Sequence, residues 1–149
     1  MIGIVVVTHS QLGQALLDAA GFVLGQPVEQ AKSVSVDLKE SASKLRKDIG
    51  AAIKEVSAQQ GVLVLTDMFG GTPSNLAYSF LEEGRVEVIS GANLPLLIRA
   101  DNLRRRKNPD LKDLAQELEE YGKKSICLAS GMLKGKKTAG WTGGFPCVP

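Results

Sequence analysis

Apolar residues follow two alternating rhythms along this chain. Ile2–Thr8 is β-branched and apolar almost throughout, the pattern of a strand covered on both faces. The period then changes. Leu12, Ala15, Leu16, Ala19, Phe22 and Val23 recur at three- and four-residue steps, which predicts an amphipathic helix with Ser10 as its N-cap. Gly25 and Pro27 end it. Ala31–Val36 reads as a weaker second strand. A long helix follows, with Ala42, Leu45, Ile49, Ile53 and Val56 on one stripe. Gly61 stops that helix, and Val62-Leu63-Val64-Leu65 is a third buried strand running into Thr66-Asp67. Met68-Phe69-Gly70-Gly71 is a loop. Thr72 is then the expected N-cap, with Pro73 at the first position of a helix carrying Leu76, Ala77, Phe80 and Leu81. Val86–Ile89 is a short strand, and after the turn Ser90-Gly91-Ala92-Asn93 a helix opens near Pro95. Asn108-Pro109-Asp110 caps a further helix with Leu111, Leu114, Ala115, Leu118 and Tyr121 on its apolar face, and Ile126–Ala129 is a last short strand.

Strands alternating with helices predict an α/β fold: a doubly wound, mostly parallel sheet with helices on both faces. For the first four strands the common order is 2-1-3-4. Residues 1–130 form one domain on this pattern. Residues 131–149 are rich in glycine and lysine and lack periodicity, so they read as a flexible tail.

Composition narrows the classes. With 44% hydrophobic but only 5% aromatic residues in 149, the core must be built from Val, Leu, Ile and Ala. A formal charge of +2 is too small to imply nucleic acid or an acidic membrane surface. No apolar run approaches the roughly 20 residues of a membrane span, and no cationic segment precedes the first apolar stretch as in a signal peptide. Cys127 and Cys147 are the two cysteines, too few for a disulfide framework. The expectation is a reducing cytoplasm, with Cys127 buried in the last strand.

His9 is the single histidine, and it stands at the predicted junction of the first strand and first helix. Asp67 stands at the corresponding end of the third strand. In a 2-1-3-4 sheet these strands are neighbours, and the crevice at their ends is where open α/β sheets keep their sites. A carboxylate on one ring nitrogen fixes the tautomer and leaves the other free to attack. The bland alternative is a loop histidine and a turn or capping aspartate. Gly70-Gly71-Thr72 stands beside them. Glycines before a helix let backbone N–H groups converge on an anion, and Thr72 adds a hydroxyl; a tight turn alone would also account for the pair. The motif is neither a P-loop nor a dinucleotide fingerprint. One histidine and no clustered carboxylates argue against a metal. No G-x-S-x-G elbow makes Ser10 a nucleophile. Arg104-Arg105-Arg106-Lys107 reads as a solvated basic run at a helix C-terminus, with partner docking as the other possibility. Phe69 is either core or a docking contact.

Three segments carry a resemblance: IGIVVVTHSQLGQALLDAA, VLVLTDMFGGTPSN and VISGANLPLL. Over about residues 1–130 the chain resembles the IIA domain of the mannose-type family in the bacterial phosphoenolpyruvate-dependent sugar phosphotransferase system. The resemblance implies that His9 accepts phosphate from the histidine-containing phosphocarrier protein and passes it to a IIB component. Asp67 would orient His9, and Gly70, Gly71 and Thr72 would surround the phosphoryl group, with no cofactor. It further implies a homodimer that exchanges its final strand, here around Ile126–Ala129. The expected place of work is the cytoplasm, loosely associated with a membrane permease. Relatives often carry a fused IIB domain; here the expectation is a separate IIB protein. The segment Trp141–Pro149 matches nothing in the family pattern. Two rivals stay open: a regulatory protein that is phosphorylated without serving sugar transport, and a non-catalytic anion-binding flavodoxin-like module.

Overall fold

A computed structural model describes residues 1–57 and 59–132. The expectation of a flexible tail, and those for Trp141–Pro149 and Cys147, lie almost wholly outside the described residues. Four strands form one parallel sheet: β1 (Gly3–His9), β2 (Ala31–Val36), β3 (Val62–Thr66) and β4 (Val86–Ser90). Their order is β2-β1-β3-β4, as the strand pattern predicts. The crossovers are α1 (Leu12–Leu24), α2 (Ala42–Val56) and α3 (Thr72–Tyr78); α4 (Leu94–Arg104), α5 (Leu111–Lys124) and α6 (Ala129–Met132) follow β4. No helix among the described residues is long and apolar enough to cross a membrane.

The strand alternation sorts the core into two layers. Ile2, Ile4 and Val6 of the first strand segment join Leu63 and Leu65 in one layer, with Leu97, Leu103, Leu114 and Leu118 of α4 and α5. Val5 and Val7 join Val62 and Val64 in the other, with Leu45, Ile49 and Val56 of α2 and Leu76 of α3. Each such side chain is worth roughly 1.5–3 kcal/mol of burial. The central strands are therefore a rigid platform. Register fixes what they present: Val7 pairs with Thr66 across β1 and β3, and Thr66 with Ser90 across β3 and β4. The carboxyl ends of the three strands thus lie side by side.

Several expectations change. On α1 the buried face is Gly13 and Ala20, while Phe22 and Val23 are exposed. The reason is close packing: a Cβ at Gly13 would lie 3.1 Å from both Thr8 Oγ1 and the Val6 carbonyl oxygen. The small face seats the helix on the sheet; Leu16 and Leu17 pack against the core beside it, while Phe22 and Val23 face outward. Ser10 is a turn residue with φ +51°, and Gln11 occupies the N-cap without a side-chain bond. Thr72 is the first residue of α3, with Gly71 before it as N-cap.

Ile126–Ala129 is not a strand in this chain. Ile126, Cys127 and Leu128 are irregular and exposed, and Ala129 opens α6, which takes in Gly131 and Met132. The segment follows α5 across the surface and joins no strand of its own sheet, of which β4 forms one edge. Cys127 is accordingly not buried.

The basic run is only partly solvated. Arg104 is fully buried: Nε and Nη2 donate to Asp101 Oδ1 at 2.9 and 2.6 Å, and Nη1 donates to the Ile2 carbonyl at 3.0 Å. Nη2 also donates to the Glu29 carbonyl. Arg105 pairs with Asp101 and Arg106 with Glu117. Arg104 therefore ties α4 to the starts of β1 and β2, at the opposite end of the sheet from His9.

Candidate functional site

β1 ends in His9, and β3 delivers Asp67 immediately beside it. One carboxylate oxygen, Asp67 Oδ2, accepts the His9 backbone N–H at 2.9 Å and lies 2.8 Å from His9 Nδ1. The other, Oδ1, accepts the Met68 backbone N–H at 3.0 Å. Burial pushes the Asp67 pKa up, but the backbone and ring hydrogen bonds from His9, its charge and the Met68 amide outweigh burial and hold it below the ordinary carboxylate value. Asp67 is therefore ionised near neutral pH and can only accept. In the neutral ring the Nδ1 position then carries the proton, and Nε2 has the lone pair. The imidazole is 36% exposed and the carboxylate 11%, so the reactive ring is accessible while its orienting partner is sheltered.

The loop after Asp67 presses against the ring. Gly70 adopts φ +78°, the left-handed region that glycine tolerates. Gly71 has ordinary backbone angles, yet a Cβ there would lie 3.1 Å from His9 Cε1 and 3.1 Å from Met68 Cγ. Cε1 lies between the two ring nitrogens, so the Gly71 backbone packs close against that edge of the imidazole. The loop carbonyls turn back into α3: Ser74 Oγ donates to the Gly71 carbonyl at 3.0 Å, and the Asn75 amide donates to that of Gly70 at 3.4 Å. The Thr72 and Ser74 amides belong to the first turn, where no intrahelical carbonyl reaches them. His9, Asp67, Gly70, Gly71 and Thr72 thus come together at one place. Phe69 is 81% exposed at the rim, with Met68 and Leu12 also exposed.

Sequence reasoning missed the polar residues beneath. Thr8 is buried, and its Oγ1 accepts the Gly13 amide at 2.8 Å, pinning the start of α1 just after His9. Thr66 is buried directly before Asp67, with its hydroxyl 2.8 Å from Ser90 Oγ. Tyr78 Oη lies 3.0 Å from the same Ser90 oxygen. The available clue was a threonine ending each of two otherwise apolar strands. Among the described residues no cluster of three or more His, Cys, Asp or Glu is placed to hold a metal. A groove of about 730 Å³ runs between α1 and β2 and includes Leu17, Phe22 and Pro27 but no residue of the site.

Known proteins share this sequence pattern and fold. A family model described as the PTS system fructose IIA component matches residues 3–119. The chain is 32% identical over 142 residues to the PTS system fructose-specific EIIA component of Bacillus subtilis (strain 168), covering 93% of this chain and 94% of that protein. It is 29% identical over 126 residues to the PTS system mannose-specific EIIAB component of Escherichia coli (strain K12), covering 84% of this chain but only 38% of that longer protein. In structure it resembles the phosphotransferase system component EIIA from Streptococcus agalactiae, with a TM-score of 0.77 at 24% identity, over 88% of this chain and 99% of that one. The chain belongs to the fructose/mannose family of IIA components of the sugar phosphotransferase system.

Proposed function

We propose that this IIA component carries a phosphoryl group on His9 Nε2 as one step of sugar phosphotransfer. The observation that carries the reading is the 2.8 Å contact of His9 Nδ1 with Asp67 Oδ2, which leaves Nε2 as the nucleophile. The histidine-containing phosphocarrier protein brings the group as its own phosphohistidine. The donor P–N bond breaks as a P–N bond to Nε2 forms in line. The proton stays on Nδ1, facing Asp67 Oδ2, and the ionised carboxylate balances the charge on the phosphorylated ring. Backbone amides around Gly70, Gly71 and Thr72 receive the phosphoryl oxygens. The reverse geometry then hands the group to a histidine of a IIB component. Donor and acceptor bonds are of one kind, so the transfer is reversible, and catalysis rests on alignment and charge stabilisation. As in the family, the chain is a phosphotransferase, with the carrier unit in residues 1–130.

The reading includes a homodimer, work in the cytoplasm and loose association with a permease complex. Two observations support exchange of the Ile126–Ala129 segment between copies. Ile126 and Leu128 are 86% and 76% exposed. A groove of about 510 Å³ runs along the β4 edge, bordered by Val88, Ile89 and Ala115. A segment with exposed apolar side chains and a sheet edge open to a fifth strand are complementary.

The test is incubation with phosphoenolpyruvate, enzyme I and the phosphocarrier. An acid-labile, base-stable label is expected on the wild type and absent from His9→Ala. Label persisting on that variant would remove His9 from the role. Saturable inorganic phosphate binding with no label on either protein would point to an anion-binding module instead.

A further inference from the structure

Behind the loop that presses on His9, three hydroxyls form a chain that the phosphotransfer scheme leaves unused. Tyr78, the last residue of α3, places Oη 3.0 Å from Ser90 Oγ. Ser90 Oγ is 2.8 Å from Thr66 Oγ1. The Thr66 carbonyl accepts the amides of both Gly91 and Ala92 at 2.9 Å, so the residue before Asp67 is held by side chain and main chain alike. The ring of Tyr78 also packs on that of Phe69, with centroids 6.2 Å apart and planes inclined by 47°. The loop from Asp67 to Gly71 is thereby tied to Tyr78 three times: through Thr66 at its start, through Phe69 in its middle and through α3 at its end.

Resting on the His9 reading above, we propose that Tyr78, acting through Ser90 and Thr66, is a positioning residue that sets Asp67 and the loop amides against the imidazole. Each hydroxyl can donate once and accept, so the three oxygens form a continuous chain. Without the Tyr78 hydroxyl, Ser90 is free to rotate away from Thr66, and β3 loses the side-chain part of its cross-link just before its catalytic end. Asp67 spends one oxygen on two hydrogens of His9, an arrangement sensitive to small shifts. A displacement near 1 Å at a reacting group costs roughly a hundredfold in rate. A tyrosine that only filled space would do as well as phenylalanine, because the Phe69 contact uses the ring alone.

The experiment compares Tyr78→Phe, Ser90→Ala and Ser90→Thr with the wild type and His9→Ala. Phosphotransfer kinetics from the phosphocarrier and 15N NMR of the His9 ring are the readouts. Wild type should show the Nδ1-protonated tautomer. Tyr78→Phe and Ser90→Ala should show a mixture of tautomers and a kcat lowered roughly 10- to 100-fold at unchanged KM. Ser90→Thr, which keeps a hydroxyl, should recover both. Wild-type rates and tautomer in both deletion variants, with only a lower Tm, would overturn the proposal; if Tyr78→Phe fails to fold, Ser90→Ala decides. Label on His9→Ala would instead sink the phosphohistidine scheme, whereas loss of label there beside full activity in Tyr78→Phe would sink the Tyr78 role alone.

Discussion

Asp67 holds His9 by two hydrogens on one oxygen: Oδ2 accepts the backbone N–H at 2.9 Å and contacts Nδ1 at 2.8 Å. The carboxylate therefore fixes both where the ring starts and which nitrogen is free. Asp67→Asn keeps the size and one acceptor but removes the charge that balances a phosphorylated imidazole. Its amide, turned to donate, also favours the wrong tautomer. The expected result is a folded protein whose transfer rate is lower by roughly 10²–10⁴, the range for lost acid–base or orienting groups. Rapid-quench measurement of label transfer from the phosphocarrier checks it. An unchanged rate would reduce Asp67 to a turn residue.

The same contacts make a pH prediction. In the unfolded chain Asp67 takes up its proton near the ordinary value of 3.8; in the folded protein it does so only at lower pH. Between these points the unfolded state binds more protons, so stability rises with pH. The contribution is complete above the unfolded value and is lost as pH falls through the folded one. Urea unfolding of wild type and Asp67→Asn should therefore differ most near neutral pH and converge in strong acid. A difference that stayed constant down to acid would mean that ionisation of Asp67 adds nothing to folding.

The two loop glycines should fail in different ways. Gly70 has φ +78° and open space around it, so Gly70→Ala meets backbone strain of about 1–2 kcal/mol. Gly71 has an unstrained φ, but its added Cβ would meet His9 Cε1 and Met68 Cγ at 3.1 Å each. Met68 is exposed and can move; the ring is held by Asp67 and cannot follow freely. Gly71→Ala should leave Tm nearly unchanged while slowing transfer roughly 10- to 100-fold. Thermal unfolding beside transfer kinetics separates the two, and equal effects on both measures in both variants would refute the distinction.

How much of this was legible follows from what each residue answers to. The sheet order and the meeting of His9 with Asp67 came from strand periodicity, because apolar runs and parallel topology leave little choice of neighbours. A run of four basic residues at a helix end is usually solvated, so the local pattern predicts exposure for Arg104. Its burial depends on Asp101 one turn earlier and on two carbonyls from distant segments, which no local pattern reveals. The Tyr78–Ser90–Thr66 chain was hidden for the same reason: it joins three elements. The contrast within the basic run is testable. Arg104→Ala leaves Asp101 a buried charge with Arg105 as its remaining partner and strips two carbonyls, for an expected loss of about 3–5 kcal/mol in urea unfolding. Arg105 is partly exposed, and Arg105→Ala should cost under about 1 kcal/mol. Equal losses would mean that burial does not set the energetics of the run.

The last relation is between the edge of the sheet and the segment after α5. Ile126 and Leu128 present two large apolar side chains to solvent from an irregular stretch of backbone. A chain alone gains nothing from that arrangement, since each exposed side chain forgoes roughly 1.5–3 kcal/mol of burial. Laid along β4 of a second copy, the segment would pair its backbone and set those side chains against the groove by Val88 and Ile89. Two such exchanges per dimer would bury four large side chains and pair backbone at two sheet edges, both of which oppose the cost of association. Light scattering should give a particle of twice the chain mass for the wild type. In Ile126→Lys/Leu128→Lys the charges oppose burial, and the particle should fall to a single chain with β1, β3 and the His9 site intact. A wild-type monomer, or a dimer indifferent to both lysines, would remove the exchanged strand from the account.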